Sequence, residues 1–278
     1  MQIPILNGIY ADGAADFRTS YPVNLIPVPK ENGISKGYLR PADGIVTVML
    51  GPGKDRGGIN WNDVHYRVFG TQLCTVAENG ALTIIGDVGG YGEMVRLDYS
   101  FEKLIIISGG GLYYSDGVTV TRVIDSDLGN VIDGLWVDGY TVMTDGEFIY
   151  STDINDPASV KSSNYASSEI DPDPIEGLLK LRNEVVAINR YTMETFQNIG
   201  GVNFPFARVN GAQVMRGCVG THAACVFNEA IAFLGGGRNE SIAVWIAQNS
   251  STVKISTREI DQILATYQEF QLRNVVVE

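Results

Sequence analysis

The residues of this chain best suited to chemistry are acidic. Asp171 and Asp173 lie in EIDPDPIEG, and Asp153 and Asp156 lie in STDINDP. Paired carboxylates can serve as acid and base on a glycosidic bond, or hold a hard cation through oxygen. Both pairs sit in loops, where aspartate commonly starts a turn by accepting bonds from the backbone just ahead. Turn formation is therefore the preferred reading of each. The sialidase-type box S-x-D-x-G-x-x-W is absent, since Ser126, Asp127 and Gly129 have the wrong spacing and no tryptophan follows. The two histidines, His65 in VHYRVF and His222 in THAAC, form no metal-binding pair. GPGKDRGG, from Gly51 to Gly58, lacks the Ser or Thr that follows the lysine of a phosphate loop, so it reads as a glycine-rich turn. Cys74, Cys218 and Cys225 are odd in number and include no CxxC, which argues for free thiols. No catalytic residue, cofactor site or metal ligand is assigned.

Bulk properties narrow the class. The 278 residues are 45% hydrophobic and 19% charged, a globular composition, and the 32 glycines suit a chain with many tight turns. A net charge of −12 opposes tight binding to DNA, which rewards cations that displace counterions. MQIPILNGIY shows no signal-peptide pattern, and no apolar run is long enough to span a bilayer. A chain made in the cytoplasm, without membrane contact, is expected.

The elements that must position these residues are short strands. Residues 1–60 are punctuated by proline and glycine and read as an extended arm that lies across something else. Residues 61–278 alternate β-rich runs with Gly, Asp and Asn turns. Four stretches align as strand, turn, very apolar strand, turn, strand. Leu112, Phe148, Met193 and Ile242 fall at matching places in them, and Leu73 marks an earlier copy. The spacing of about 40 residues is that of one four-stranded propeller blade. Leu104–Ile107, Val185–Ile188 and Ile231–Leu234 are apolar without alternation, as strands covered on both faces are. The expected fold is all-β: a β-propeller, incomplete if the chain is truncated, with an extended N-terminal arm and one short helix near the C-terminus. A sandwich or irregular solenoid is the runner-up. The helix is placed after a capping box of Ser256 and Glu259, with Ile260, Ile263, Leu264 and Tyr267 on its apolar face. A further strand-like run spans Leu272–Val277. The Gly109–Gly111 and Gly235–Gly237 runs read as hairpin turns, and Arg182, Arg190 and Tyr191 as a solvated blade edge.

The arm, YPVNLIPVPKENGISKGYLRPADGI from Tyr21 to Ile45, resembles the N-terminal signature of the packaged-DNA stabilisation proteins, or tail accessory factors, of podoviruses that infect enteric bacteria. The matching positions are Pro22–Asn24, Pro29–Lys30, Gly37–Arg40 and Gly44–Ile45. VHYRVFGTQL, IGDVGGYGEMV, YTMETFQNIGG, RGCVGTHAACVFNEAIAFLG and EIDQILATY follow in the family's order. The resemblance implies a β-propeller that is a structural virion protein and not an enzyme. It implies a hexamer docked below the portal–adaptor ring, which retains packaged DNA and mounts the tail needle and tailspikes. The docking arm would comprise Tyr21, Pro22, Val23, Asn24, Pro29, Lys30, Gly37, Tyr38, Leu39 and Arg40. Family members run well beyond residue 278, so a fragment, a split gene or a shortened relative is expected. The alternatives are a propeller glycoside hydrolase using loop carboxylates such as Asp171 and Asp173, or a carbohydrate- or peptide-binding propeller.

Overall fold

Short apolar runs joined by Asn, Asp and Gly favour tight antiparallel hairpins, and the chain forms them one after another. The computed structural model describes residues 24–29 and 37–277. Among the described residues a separate two-stranded hairpin comes first, β1 (Leu25–Pro29) against β2 (Gly37–Pro41). Five blades follow. The first holds β3 (Asp55–Trp61), β4 (Val64–Phe69), β5 (Gln72–Val76) and β6 (Leu82–Asp87). The second holds β7 (Arg96–Tyr99), β8 (Leu104–Ser108), β9 (Gly111–Ser115) and β10 (Val120–Arg122). The third holds β11 (Asp133–Val137), β12 (Tyr140–Thr144), β13 (Phe148–Asp153) and β14 (Asp156–Ser167). The fourth holds β15 (Ile175–Leu181), β16 (Glu184–Asn189), β17 (Met193–Asn198) and β18 (Phe206–Arg208). The fifth adds a short strand, β19 (Gly217–Cys218), to β20 (Ala224–Phe227), β21 (Ala230–Gly236), β22 (Ala243–Gln248) and β23 (Ser251–Lys254). Within each blade, strands pair in sequence order, and β19 joins the last sheet beside β21.

The first strands of successive blades lie side by side: β3 meets β7, β7 meets β11, β11 meets β15, and β15 meets β20. They form the inner wall of a propeller, and the expected all-β propeller is the observed fold. Leu73, Leu112, Phe148 and Met193 all fall in third strands, and Ile242 immediately precedes one. β8 and β21 are buried at every residue, because neighbouring blades cover both of their faces.

Turn chemistry explains the tight closure. The first hairpins of blades one, three and five close through two residues each, Asn62–Asp63, Asp138–Gly139 and Asn228–Glu229. All six of these residues have positive φ, as turns matching the twist of paired strands require. Asn, Asp and Gly tolerate that region; Glu229 accepts some strain there.

The structure corrects several expectations. The helix α1 (Arg258–Leu264) starts after Thr257, and no side chain caps it. Ser256 instead accepts a bond from Val244 N and donates to Asp261 Oδ1 at 2.6 Å, so the expected Ser256–Glu259 box does not form. Ile260, Ile263 and Tyr267 are exposed. A second helix, α2 (Glu269–Leu272), takes up the start of the run expected as a strand. Gly109–Gly110 do turn β8 into β9, but Gly235 and Gly236 are buried strand residues of β21. A Cβ on Gly235 would overlap the Gly217 carbonyl oxygen, so glycine here permits β19 to pair with β21. Inner strands β3 and β7 were not legible as strands, and β3 begins within the expected arm.

Candidate functional site

The four candidate aspartates and His65 are all held by contacts within the fold. Asp173 accepts bonds from Tyr191 N at 2.6 Å and Thr192 Oγ1 at 3.2 Å, and burial pushes its pKa up. Its neighbour Asp171 pairs with Arg238 at 2.5 Å. Asp153 pairs with Lys161 at 2.5 Å and accepts from Ser159 at 2.8 Å. Asp156 accepts from Ala158 N at 3.3 Å, but both lie in β14, so Asp153 and Asp156 are strand ends flanking the Ile154–Asn155 turn and not loop residues. His65 Nδ1 shares a hydrogen bond with Asn60 Oδ1 at 2.7 Å within the first blade. All three cysteines are free. Among the described residues, no group of three His, Cys, Asp or Glu could hold a metal ion.

The glycine-rich segment hides a different device. Arg56 is fully buried, and every one of its donors is used. Nε bonds Glu93 O at 2.7 Å, and Nη1 bonds Gly70 O at 2.8 Å and Gly89 O at 2.7 Å. Nη2 bonds Ser108 Oγ at 2.7 Å and Glu93 Oε1 at 3.2 Å. The glycines around it leave space for this fork to reach the second blade.

A second cation, partly buried, lies on the inner wall and binds a fully buried carboxylate. Arg96, at the start of β7, grips Asp133 at the start of β11 through Nε at 2.5 Å and Nη2 at 2.9 Å. Asp133 also accepts from Leu178 N of β15 at 2.8 Å, and Arg96 Nη2 reaches Thr221 O before β20 at 3.2 Å. Gly177 permits this approach, since a Cβ there would lie 2.8 Å from Asp133 Oδ2. The adjacent His222 bonds the Met94 backbone, and burial lowers its pKa. Two to three residues further along the same strands, Asp98 accepts from Trp136 N at 2.7 Å, and Lys180 donates to Trp136 O at 2.9 Å. Blades two to five are therefore laced together by side chains at their inner wall, where a fully paired buried charge is tolerated and an unpaired one is costly.

Arg190 also departs from expectation. It is buried, stacks on Tyr191 at 4.4 Å and bonds Glu269 of α2 at 2.8 Å. Arg182 alone of that trio sits on a solvated edge, paired with Glu229 at 3.3 Å.

The candidate arm presents unpaired apolar surface. Tyr21, Pro22, Val23 and Lys30 lie outside the described residues. Asn24 has φ of 55° and its carbonyl accepts from Ala42 N at 2.8 Å, closing the base of the β1–β2 hairpin. Pro29 pairs with Gly37, Val28 with Tyr38, Pro27 with Leu39 and Ile26 with Arg40. Arg40 reaches Asp43 at 3.5 Å. Leu25, Ile26 and Tyr38 are exposed, and beyond the hairpin so are Ile45, Val46, Val48 and Leu50, with Ile45 fully so.

Five four-strand blades whose first strands line a laced centre make the described residues a β-propeller. The Pan2 WD40 domain of Neurospora crassa is similar in fold at a TM-score of 0.50 and 11% identity, covering 73% of this chain and 65% of that one. The family described as Bacteriophage P22 Gp10, beta-propeller, matches residues 1–278. The tail hub protein gp10 of Salmonella phage P22 is 28% identical over 297 aligned positions, covering 100% of this chain and 61% of that protein's length. The chain belongs to this family of phage tail hub proteins.

Proposed function

We propose that the chain is a structural component of a short-tailed phage tail. In this reading it docks as a hexamer below the portal–adaptor ring, helps retain packaged DNA, and contributes to the mount for tail needle and tailspikes. The arm is the observation that carries the reading. Among the described residues its hairpin strands pair only with each other, and the run from Ile45 to Leu50 leaves four large apolar side chains in water. A contiguous apolar surface of this kind marks a protein interface. Residues Asn24, Pro29, Gly37, Tyr38, Leu39 and Arg40, with Tyr21, Pro22, Val23 and Lys30 before and between them, form the docking segment, draped on a neighbouring copy. Retention of DNA proceeds by physical closure, consistent with the charge of −12, which favours passage of DNA without adhesion.

Mass photometry of the chain, alone and mixed with the portal–adaptor complex of the same genome, tests this. The expected result is a hexamer's mass added to the complex. Deletion of the residues before Gly44 is expected to weaken that addition while leaving the melting temperature of the propeller unchanged. Equal addition by the deleted form would remove the arm from the interface, and no addition by the full-length gene product would refute the role.

A further inference from the structure

One blade breaks the rule that the others follow. In blades one, three, four and five the first hairpin closes through two residues, between Trp61 and Val64, Val137 and Tyr140, Leu181 and Glu184, and Phe227 and Ala230. In blade two the last pair is Tyr99 with Leu104, so the loop is Ser100–Lys103. This loop is tied and not slack. Ser100 N bonds Lys103 O at 2.8 Å, and Ser100 Oγ accepts from Lys103 N at 3.0 Å. The extra length places Phe101 in water at 88% exposure, its ring edge-to-face with Trp136 at 5.6 Å. A large aromatic held out on a rigid turn costs solubility and contributes nothing to the core, so the packing of the fold does not account for it.

Phe101 and Trp136 wall a cleft of about 290 Å³ between blades two and three, near the lower end of small-ligand pockets. Glu102, Lys103 and Asn155 line the same cleft, and none of the three side chains has a hydrogen bond or ion pair within the described chain. Lys103 Nζ stands 5.8 Å from the Tyr114 ring centre. The cleft thus offers an exposed ring face beside an acceptor, a donor and an amide that is both.

We infer that this cleft binds a pyranose unit of a glycan. A sugar ring presents C–H bonds on one face, which pack against an aromatic ring, and hydroxyls around its rim. Each hydroxyl can donate to Glu102 or the Asn155 carbonyl and accept from Lys103 or the Asn155 amide. A proline-rich peptide, the other ligand that aromatic grooves take, offers carbonyl acceptors and leaves Glu102 unmatched. An acidic peptide meets the same mismatch. The observations therefore favour the sugar.

Saturation-transfer NMR on the full chain, with a panel of methyl hexopyranosides and deoxyhexopyranosides as probes, tests the inference. At least one is expected to receive saturation, with weak affinity suited to a single ring. Phe101→Ala is expected to weaken that binding by about five- to tenfold, while the melting temperature falls by only a few degrees, because Phe101 is exposed and loses only its edge contact with Trp136. Lys103→Ala and Asn155→Ala should each weaken it as well. Absence of transfer to every pyranoside overturns the inference. So does transfer that survives Phe101→Ala, and so does a cleft that takes a proline-rich peptide in place of any sugar.

Discussion

Replacing Arg96 by Met keeps most of the apolar stem and removes the guanidinium. Asp133, fully buried, then retains only the bond from Leu178 N at 2.8 Å. Breaking a buried pair by deleting one partner costs about 3–5 kcal/mol, because the remaining charge cannot reach water. For a chain of this size each kcal/mol lowers the melting temperature by roughly 2–4 °C, so a fall of about 6–20 °C is expected. Calorimetry and urea unfolding followed by tryptophan fluorescence both read this. The double variant Arg96→Met with Asp133→Leu removes the stranded charge and should recover much of the loss, a coupling that a double-mutant cycle isolates. A single-variant loss below about 1 kcal/mol, the worth of an exposed pair, would refute the account. A double variant no more stable than Arg96→Met would refute it equally.

Other outcomes follow from the same geometry. Glu269→Gln removes the charged partner of buried Arg190, and because the Glu269 side chain is 43% exposed the loss at neutral pH should be about 1 kcal/mol. The bond from Arg190 holds the Glu269 carboxyl below its usual range, so its contribution exists above the unfolded value of about 4.3 and fades as pH falls through the lower folded value. Urea titrations of wild type and variant should therefore converge in acid, and a gap that persists there contradicts the assignment. Gly235→Ala forces a Cβ onto the Gly217 carbonyl and should cost roughly 1–3 kcal/mol by thermal melting. Gly236→Ala, whose nearest atom would be Ser241 O at 3.3 Å, should cost less, and equal losses would contradict the close-approach argument. Fluorescence anisotropy with a duplex oligonucleotide at physiological salt should show no binding of micromolar strength or tighter, and such binding would contradict passage without adhesion.

The repeat was legible in the sequence because its apolar strands are covered on both faces and so lose alternation: Leu104–Ile107, Val185–Ile188 and Ile231–Leu234 all lie in buried strands. The inner wall was not legible for the opposite reason. β7 reads RLDY, and its Arg96 and Asp98 look solvated until Asp133, Trp136 and Lys180 of later blades are brought beside them. Arg56 was hidden in the same way, since its partners lie 14 to 52 residues further on. Local signals misled where tertiary contacts took over a side chain. Ser256 is drawn to Asp261 and Val244 and leaves α1 uncapped, and Arg190 is claimed by Tyr191 and Glu269. The loop of Ser100–Lys103 is visible in sequence only after the two-residue turns of the other blades have set the standard from which it departs.

The lacing of the inner wall also separates two stages of folding. Every blade hairpin joins near neighbours in the chain, so blades can form early and independently, as local contacts close quickly. The bond from Arg96 to Thr221 spans 125 residues and cannot form until four blades stand in place. A contact that forms after the transition state stabilises by slowing unfolding and leaves the folding rate alone. Arg96 is then a latch whose worth is a lifetime: its loss should appear in the unfolding limb of a kinetic chevron.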